Sequence, residues 1–524
     1  MLIENTKRFW NRLFENENTK IRCIFTTAFA LSIISYYLLI ITGLTCPDGI
    51  CEGLTFYNYS SEDWASRNGR WAIRYLNKLS GNVVIPMFVV LAYCFCICCV
   101  VYLLLDCFKI NKRISIISMT AIMVTSPCMI AHFLYTYMAL AYGVSCLLST
   151  FFVWIIYTQK GKWKYFPACI SLCISLGMYQ SYIGLSMLLI LLLFITDAIK
   201  RVSWKAIVKQ AFEYFINGFL GCLLYLVISK LDLKIRNLSP ASRVSSFDLK
   251  QVLFSLPLSV KSAYEKLFLY FHDEMFHRNR LYLLLFAVAV LFIGMEVISL
   301  IKQRKYINIF IIIILIPLLP VAANFVGLII PSFEIYLLMQ YQYILVIPFS
   351  IWIIEYVGSK NKVMNAMRAG LYLIVLVISW TYVVSANATY ICYRLSYNHI
   401  NFETSLILED IYELPGFMPS ESKIIFAGFP EAEILHENIG TYKYAIYYVG
   451  NPVFWRDMHG ANGNRYWYLM NYFGIDGGYF TDDEYISIIN SDEFKDMSVW
   501  PCDNSIKMIQ GNAVVKFTDD PPSP

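Results

Sequence analysis

The chain has 524 residues, 58% of them hydrophobic and only 15% charged, with a net charge of +5. An ordinary globular domain is about a quarter charged, and here apolar runs such as Val83 to Leu105 and Ile307 to Ile330 recur along the first three quarters. Each is long enough to cross a ~30 Å hydrocarbon core at ~1.5 Å per residue. This excludes a secreted or cytosolic enzyme and a nucleic-acid binder.

In chain order, the first apolar stretch, about 23–44, is too long for a signal-peptide core, and no small-residue cleavage site follows it. It reads as a retained helix. Further spans are expected near 83–105, 114–132, 134–157, 165–180, 182–197, 213–230, 281–300, 306–329, 335–356 and 369–386, about eleven in all. The fold class is therefore mainly α, a polytopic membrane protein.

Half of the 42 basic residues fall in six segments. These are the head before residue 23, then 109–113, 160–164, 200–209, 302–305 and 360–368. Short cytoplasmic loops collect lysine and arginine, so these segments share the cytoplasmic side. An even number of crossings must then separate 160–164 from 200–209, which favours two short helices at 165–197 over one long one. On this reading residues 1–22 are cytoplasmic and 23–386 form the membrane body, with long outer segments at 45–82 and 231–280. Residues 387–524 form a small extracytoplasmic α+β domain, marked by Pro415-Gly416 and Asp476-Gly477-Gly478 punctuation.

The first outer segment carries Asp48, Glu52, Glu62 and Asp63, then Asn68-Gly69-Arg70-Trp71. From about Ser61 to Leu79 the pattern suits one amphipathic helix lying on the membrane. Arg67, Arg70, Arg74 and Lys78 fall on a single basic stripe, with Trp64, Trp71 and Tyr75 at headgroup level. Two uses fit that stripe, attraction to anionic lipid or a site for a lipid-linked phosphate beside an acidic residue. The segment Ser175 to Tyr182 forms the tip of the short hairpin. Each arm spans only ~24 Å, so the tip stays in the outer leaflet. Tyr179, Gln180 and Tyr182 there serve either as a sugar or headgroup site or as an interfacial aromatic anchor.

Weaker signals are a Cys46/Cys51 pair, a sequon at Asn387-Ala388-Thr389, and His272, Asp273, Glu274 and His277. Those histidines are five apart and share no helix face, which argues against a metal site.

Taken in order, several pieces resemble the Gtr-type bacterial membrane glucosyltransferases. They are Cys46-Pro47-Asp48-Gly49, Gly69-Arg70-Trp71, Ser80-Gly81-Asn82 before Ile85-Pro86, Thr125-Ser126-Pro127, Leu176-Gly177-Met178-Tyr179-Gln180-Ser181-Tyr182, Ala263-Tyr264, Gly428, Asp503-Asn504-Ser505-Ile506 and Val514-Val515-Lys516. Two stretches depart from the pattern. Leu140 stands where many relatives carry an acidic residue, and Arg236 to Val244 lacks the expected tyrosine and glycine.

The resemblance implies a GT-C-like fold with its site on the outer face. It implies a polyprenyl-phosphate-linked sugar donor, glucose in the named members, a surface glycan acceptor and inversion at the sugar carbon. A polyprenyl-phosphate sugar synthase and a flippase would supply the donor, and no cofactor is expected, with divalent metal left open. Asp48 would be the base, with Glu52 and Asp63 as reserves. Arg70, with Arg67 or Arg74, would bind phosphate, and Trp71, Tyr179, Gln180 and Tyr182 would contact substrate. The alternatives are a transporter or flippase of lipid-linked sugars and a non-catalytic glycan-binding assembly protein.

Overall fold

The computed structural model describes residues 18–46, 49, 59–79, 81, 83–241, 249–272, 279–330, 335–358, 362–428 and 468–521. Among them, nine helices are long and apolar enough to cross a membrane. Two further expected spans are shorter: α8 (Tyr165–Met178) and α15 (Val346–Gly358).

The membrane body starts with α1 (Asn18–Thr42). After two short helices, α2 (Tyr59–Arg67) and α3 (Ile73–Leu79), the chain enters α4 (Pro86–Phe108). Next come α5 (Arg113–Val124) and α6 (Pro127–Leu134), one membrane crossing broken in the middle. The break has a local cause: Pro127 has no N–H to give the Met123 carbonyl. Inside a membrane that carbonyl needs another donor, and the Tyr341 hydroxyl supplies one at 3.0 Å.

Helix α7 (Thr136–Thr158) packs along α4 and against α8. The chain does turn back after α8, through a single 3-10 turn at Gln180–Tyr182, into α9 (Ile183–Ile199). The hydroxyls of Ser145 and Ser149 on α7 hold this turn by donating to the carbonyls of Ser175 and Tyr182 at 2.9 and 2.6 Å. The body continues with α10 (Trp204–Ile235), α11 (Leu249–His272), α12 (Asn279–Lys302), α13 (Tyr306–Ala323) and α14 (Phe325–Ile329).

Helix α16 runs unbroken from Lys362 to Glu413, straight through residue 386 where the sequence suggests a boundary. Its last turns carry Ile407, Leu408 and Ile411 onto one face of a small sheet, against Phe426 and Val515. The sheet has the order β1-β3-β2, with β1 (Ile424–Ala427) parallel and β2 (Ile506–Ile509) antiparallel to β3 (Asn512–Lys516). Strand alternation sends Ile425 and Val514 to the opposite face, where α17 (Asp482–Ile489) and α18 (Asp492–Lys495) cover them with Tyr485, Ile488 and Phe494. The described C-terminal region is thus α+β. The sequon is a packing residue instead: within α16, the Asn387 amide donates to the Ile34 carbonyl of α1 at 3.0 Å.

Candidate functional site

The expected single helix from Ser61 to Leu79 does not form. Helix α2 ends in a turn in which the Gly69 N–H bonds the Ser66 carbonyl at 2.9 Å and the Arg70 N–H bonds the Ala65 carbonyl at 2.8 Å. This is a Schellman cap, and it needs a left-handed residue after the cap position. Gly69 supplies it with φ +73. A Cβ there would also fall 2.5 Å from the Tyr225 hydroxyl, so glycine is required both for its backbone and for its missing side chain.

The break breaks up the basic stripe. Arg74 leaves the expected row and pairs with buried Asp232 of α10 at 2.7 Å, while also donating to the Tyr75 hydroxyl at 2.8 Å. Burial works against its charge, but the Tyr75 bond and the Asp232 carboxylate more than offset that and raise its pKa. Arg67 stays exposed. Its carbonyl accepts from the Ala241 N–H at 3.0 Å. Asp63 is held by Arg236 at 2.5 Å, so this reserve base is tied into an ion pair. Asp48 and Glu52 lie outside the described residues. The chain just before them is fixed, since the Cys46 N–H and the Thr45 hydroxyl both donate to the Leu134 carbonyl that ends α6, at 2.7 and 3.0 Å. Cys46 is buried, and Cys51 is outside the described residues.

The Asn68–Trp71 turn docks onto the hairpin tip. Gln180 spends its amide donors on the Asn68 carbonyl and the Tyr225 hydroxyl, at 2.7 and 2.9 Å. The Ala72 N–H bonds the Gly177 carbonyl at 2.9 Å. Trp71 is buried within the protein, and its indole lies where a Cβ on Gly177 would stand, 2.5 Å from Cε2. The two motifs, a hundred residues apart in sequence, form one surface.

Arg70 occupies the centre of that surface. Its guanidinium sits 5.1 Å from the ring centroids of both Trp64 and Tyr179. Among the described residues it has no carboxylate partner, and its Nε is buried without a hydrogen bond. The Trp71 Nε1 and the Tyr179 hydroxyl are likewise buried and unbonded. Aromatic faces hold the cation in place without neutralising it, which leaves it able to take an anion bidentately.

Beneath Tyr179 the packing continues through Tyr142, in an edge contact at 4.6 Å, to His132, 4.6 Å further on. Tyr182 is buried beside them, 5.8 Å from Tyr179. The His132 Nε2 lies 2.7 Å from the Leu338 carbonyl, which can only accept, so Nε2 carries the proton and Nδ1 accepts from the Tyr93 hydroxyl at 2.7 Å. Sequence reasoning missed His132, Tyr142, Tyr225, Asp232 and Arg236. For His132 a signal existed, an ionisable residue inside an apolar run. The tyrosines carried none.

A family model for the glucosyl transferase GtrII matches residues 52–347, more than half of the chain and the region that holds both docked motifs. The chain belongs to the GtrII glucosyl transferase family. No curated protein and no solved structure matches it. In this GtrII family member the matched region begins after Asp48 and ends before the C-terminal sheet, so the resemblance read at Gly428 and at Asp503 to Lys516 lies beyond it.

Proposed function

We propose that the protein moves a sugar, glucose by its family, from a polyprenyl-phosphate donor to a surface glycan by inverting displacement on the outer face of the membrane. The observation that carries this reading is the Arg70 guanidinium, 5.1 Å from the ring centroids of both Trp64 and Tyr179 where the two motifs meet, and without a carboxylate partner among the described residues. A lipid-phosphate leaving group is already anionic, so its departure calls for fixed positive charge more than for an acid.

In the proposed step an acceptor oxygen bonds the anomeric carbon from the face opposite the phosphate. The bond from that carbon to the phosphate oxygen breaks, and its electron pair leaves on a phosphate held by Arg70. The acceptor proton passes to a carboxylate, for which Asp48 is the choice by resemblance. Arg74 sets the loop in place through Asp232, and Gln180 fixes the turn that carries Arg70, so both contribute by positioning. The outer location follows from the charge distribution, which puts the lysine- and arginine-rich short loops on the cytoplasmic side.

The test uses membranes carrying the full chain, a labelled polyprenyl-phosphate glucose and crude surface glycan. Label should pass into the glycan, with Arg70→Ala weakening donor use and Asp48→Asn abolishing turnover while donor binding persists. Label that only changes leaflet would establish a transporter. No movement of label, with retained glycan binding, would establish an assembly protein.

A further inference from the structure

The chain at Thr45 is fastened from three sides. Its hydroxyl donates to the Leu134 carbonyl at the end of α6, at 3.0 Å. Its carbonyl accepts from the Tyr397 hydroxyl of α16 at 2.5 Å, between residues 352 positions apart. Just beyond it, the Gly49 N–H bonds the Cys46 carbonyl at 2.9 Å and closes a tight turn. A Cβ on Gly49 would fall 1.8 Å from the Thr45 hydroxyl oxygen, so the turn is pressed onto Thr45 and has room only for glycine. In sequence, the two residues between Cys46 and Gly49 are Pro47 and Asp48.

Tyr397 is itself held by the C-terminal region. It is 4% exposed, and the Tyr472 ring packs against it with centroids 5.7 Å apart. The Tyr468 ring lies 5.0 Å from that of Tyr472, and its hydroxyl donates to Asn401 Oδ1 at 2.5 Å. Asn401 is about one turn of α16 beyond Tyr397. The next residue along the chain from Tyr468, Leu469, is buried in the sheet core with Ile424, Phe426 and Ala513. Packed side chains thus run from the sheet through Tyr468 and Tyr472 to Tyr397, and one hydrogen bond carries the contact on to Thr45. All of these residues lie outside 52–347, the region that the family model matches.

A buried carbonyl that loses its donor has no water to replace it, and the rate of a positioned reaction falls steeply with small displacements of the reacting groups. We propose that Tyr397 is a positioning residue for sugar transfer. It holds the Cys46–Gly49 turn so that Asp48 meets the acceptor, and Tyr472 braces it from the C-terminal region. The proposal rests on the reading of Asp48 as the base. In this role the C-terminal region acts on catalysis through the turn.

The experiment compares Tyr397→Phe with Tyr214→Phe, which loses a buried hydroxyl bond of the same kind, to the Val153 carbonyl at 2.9 Å between α10 and α7. Both full-length variants are reconstituted in nanodiscs. Hydrogen exchange is followed over Thr45 to Gly49, and rates are taken over a range of labelled polyprenyl-phosphate glucose with crude surface glycan fixed. Tyr397→Phe should speed exchange of the Cys46 and Gly49 amides about tenfold. It should lower kcat about tenfold to a hundredfold, with donor KM unchanged because Arg70 is untouched. Tyr214→Phe should do neither. Tyr472→Leu should move both readings in the same direction, and it carries the test if Tyr397→Phe does not fold. Unchanged exchange, or a fall in kcat that Tyr214→Phe matches, would overturn the proposal. Faster exchange with unchanged kcat would overturn it too, leaving Tyr397 a structural clasp. Asp48→Asn separates the two readings. If it retains transfer, the base assignment fails and the positioning role fails with it. If it abolishes transfer while Tyr397→Phe keeps a normal kcat, only the positioning role fails.

Discussion

The Gln180 side-chain amide donates to the Asn68 carbonyl at 2.7 Å, joining residues 112 positions apart. Its second bond, to the Tyr225 hydroxyl at 2.9 Å, ties in α10 as well. One side chain thereby fastens three segments at the turn that presents Arg70.

Gln180→Ala should leave the Asn68 carbonyl without its donor and cost about 1–3 kcal/mol. Gln180→Glu should be no better, since a carboxylate presents lone pairs to a carbonyl. The readouts are Tm in detergent and transfer assayed at saturating donor. A fall in rate larger than the stability loss explains would mark displacement of Arg70, whereas an unchanged rate would free Gln180 of any positioning role.

Gly69→Ala meets two separate obstacles, a φ of +73 and a Tyr225 hydroxyl 2.5 Å from the new Cβ. The backbone part should cost about 1–2 kcal/mol and the clash should add to it. In a double-mutant cycle, Tyr225→Phe should recover the clash but not the backbone part. Full recovery would show that the left-handed turn is not required, and no recovery would place the cost entirely in the backbone.

The Arg74–Asp232 pair is held at 2.7 Å with side chains 19% and 4% exposed. Removing one partner of a buried pair leaves an uncompensated charge, typically a loss of about 3–5 kcal/mol. Arg74→Ala should therefore be strongly destabilising, and Arg74→Ala with Asp232→Asn should be milder than Arg74→Ala alone. Thermal unfolding of the two variants decides this. A double variant as unstable as the single one would mean that packing, rather than charge, sets the cost.

In the C-terminal region, Glu484 accepts from Lys423 Nζ at 2.7 Å and completes a capping box with Thr481. The Lys423 hydrogen bond, then the Thr481 backbone N–H, hold its pKa below the ordinary 4.5. A depressed carboxyl stabilises the fold above its unfolded pKa, and that contribution is lost as pH falls through the folded value. The prediction is a small loss of stability on acidification below about pH 4.5, absent in Glu484→Gln. Hydrogen exchange of α17 amides across that range would measure it, and identical profiles for both proteins would refute it.

What could be read from sequence and what could not divide along a physical line. Hydrophobic runs and the sorting of lysines and arginines report on the bilayer, a uniform surrounding that acts on each segment by itself. That is why the apolar spans, the turn back at Gln180 to Tyr182 and the mainly α class were legible in composition and periodicity. The same local logic placed Arg67, Arg70, Arg74 and Lys78 on one stripe, because it counted helical spacing through Gly69. What halts the helix there is a left-handed cap pressed against Tyr225 and Gln180, residues supplied by distant parts of the chain.

The net charge of +5 likewise hid different fates. Asp232 takes up Arg74, Asp63 takes up Arg236, and the Trp64 and Tyr179 rings hold Arg70 without cancelling it. Which cation stays available for an anion is decided by partners that only the packed helices bring within reach. The sequence by itself determined that this chain belongs in a membrane, and it brought the arginine and hairpin-tip motifs into view. Only tertiary structure separated Arg70, which has no carboxylate partner among the described residues, from Arg74, which Asp232 takes up, because pairing, unlike partitioning into lipid, depends on what lies across the fold.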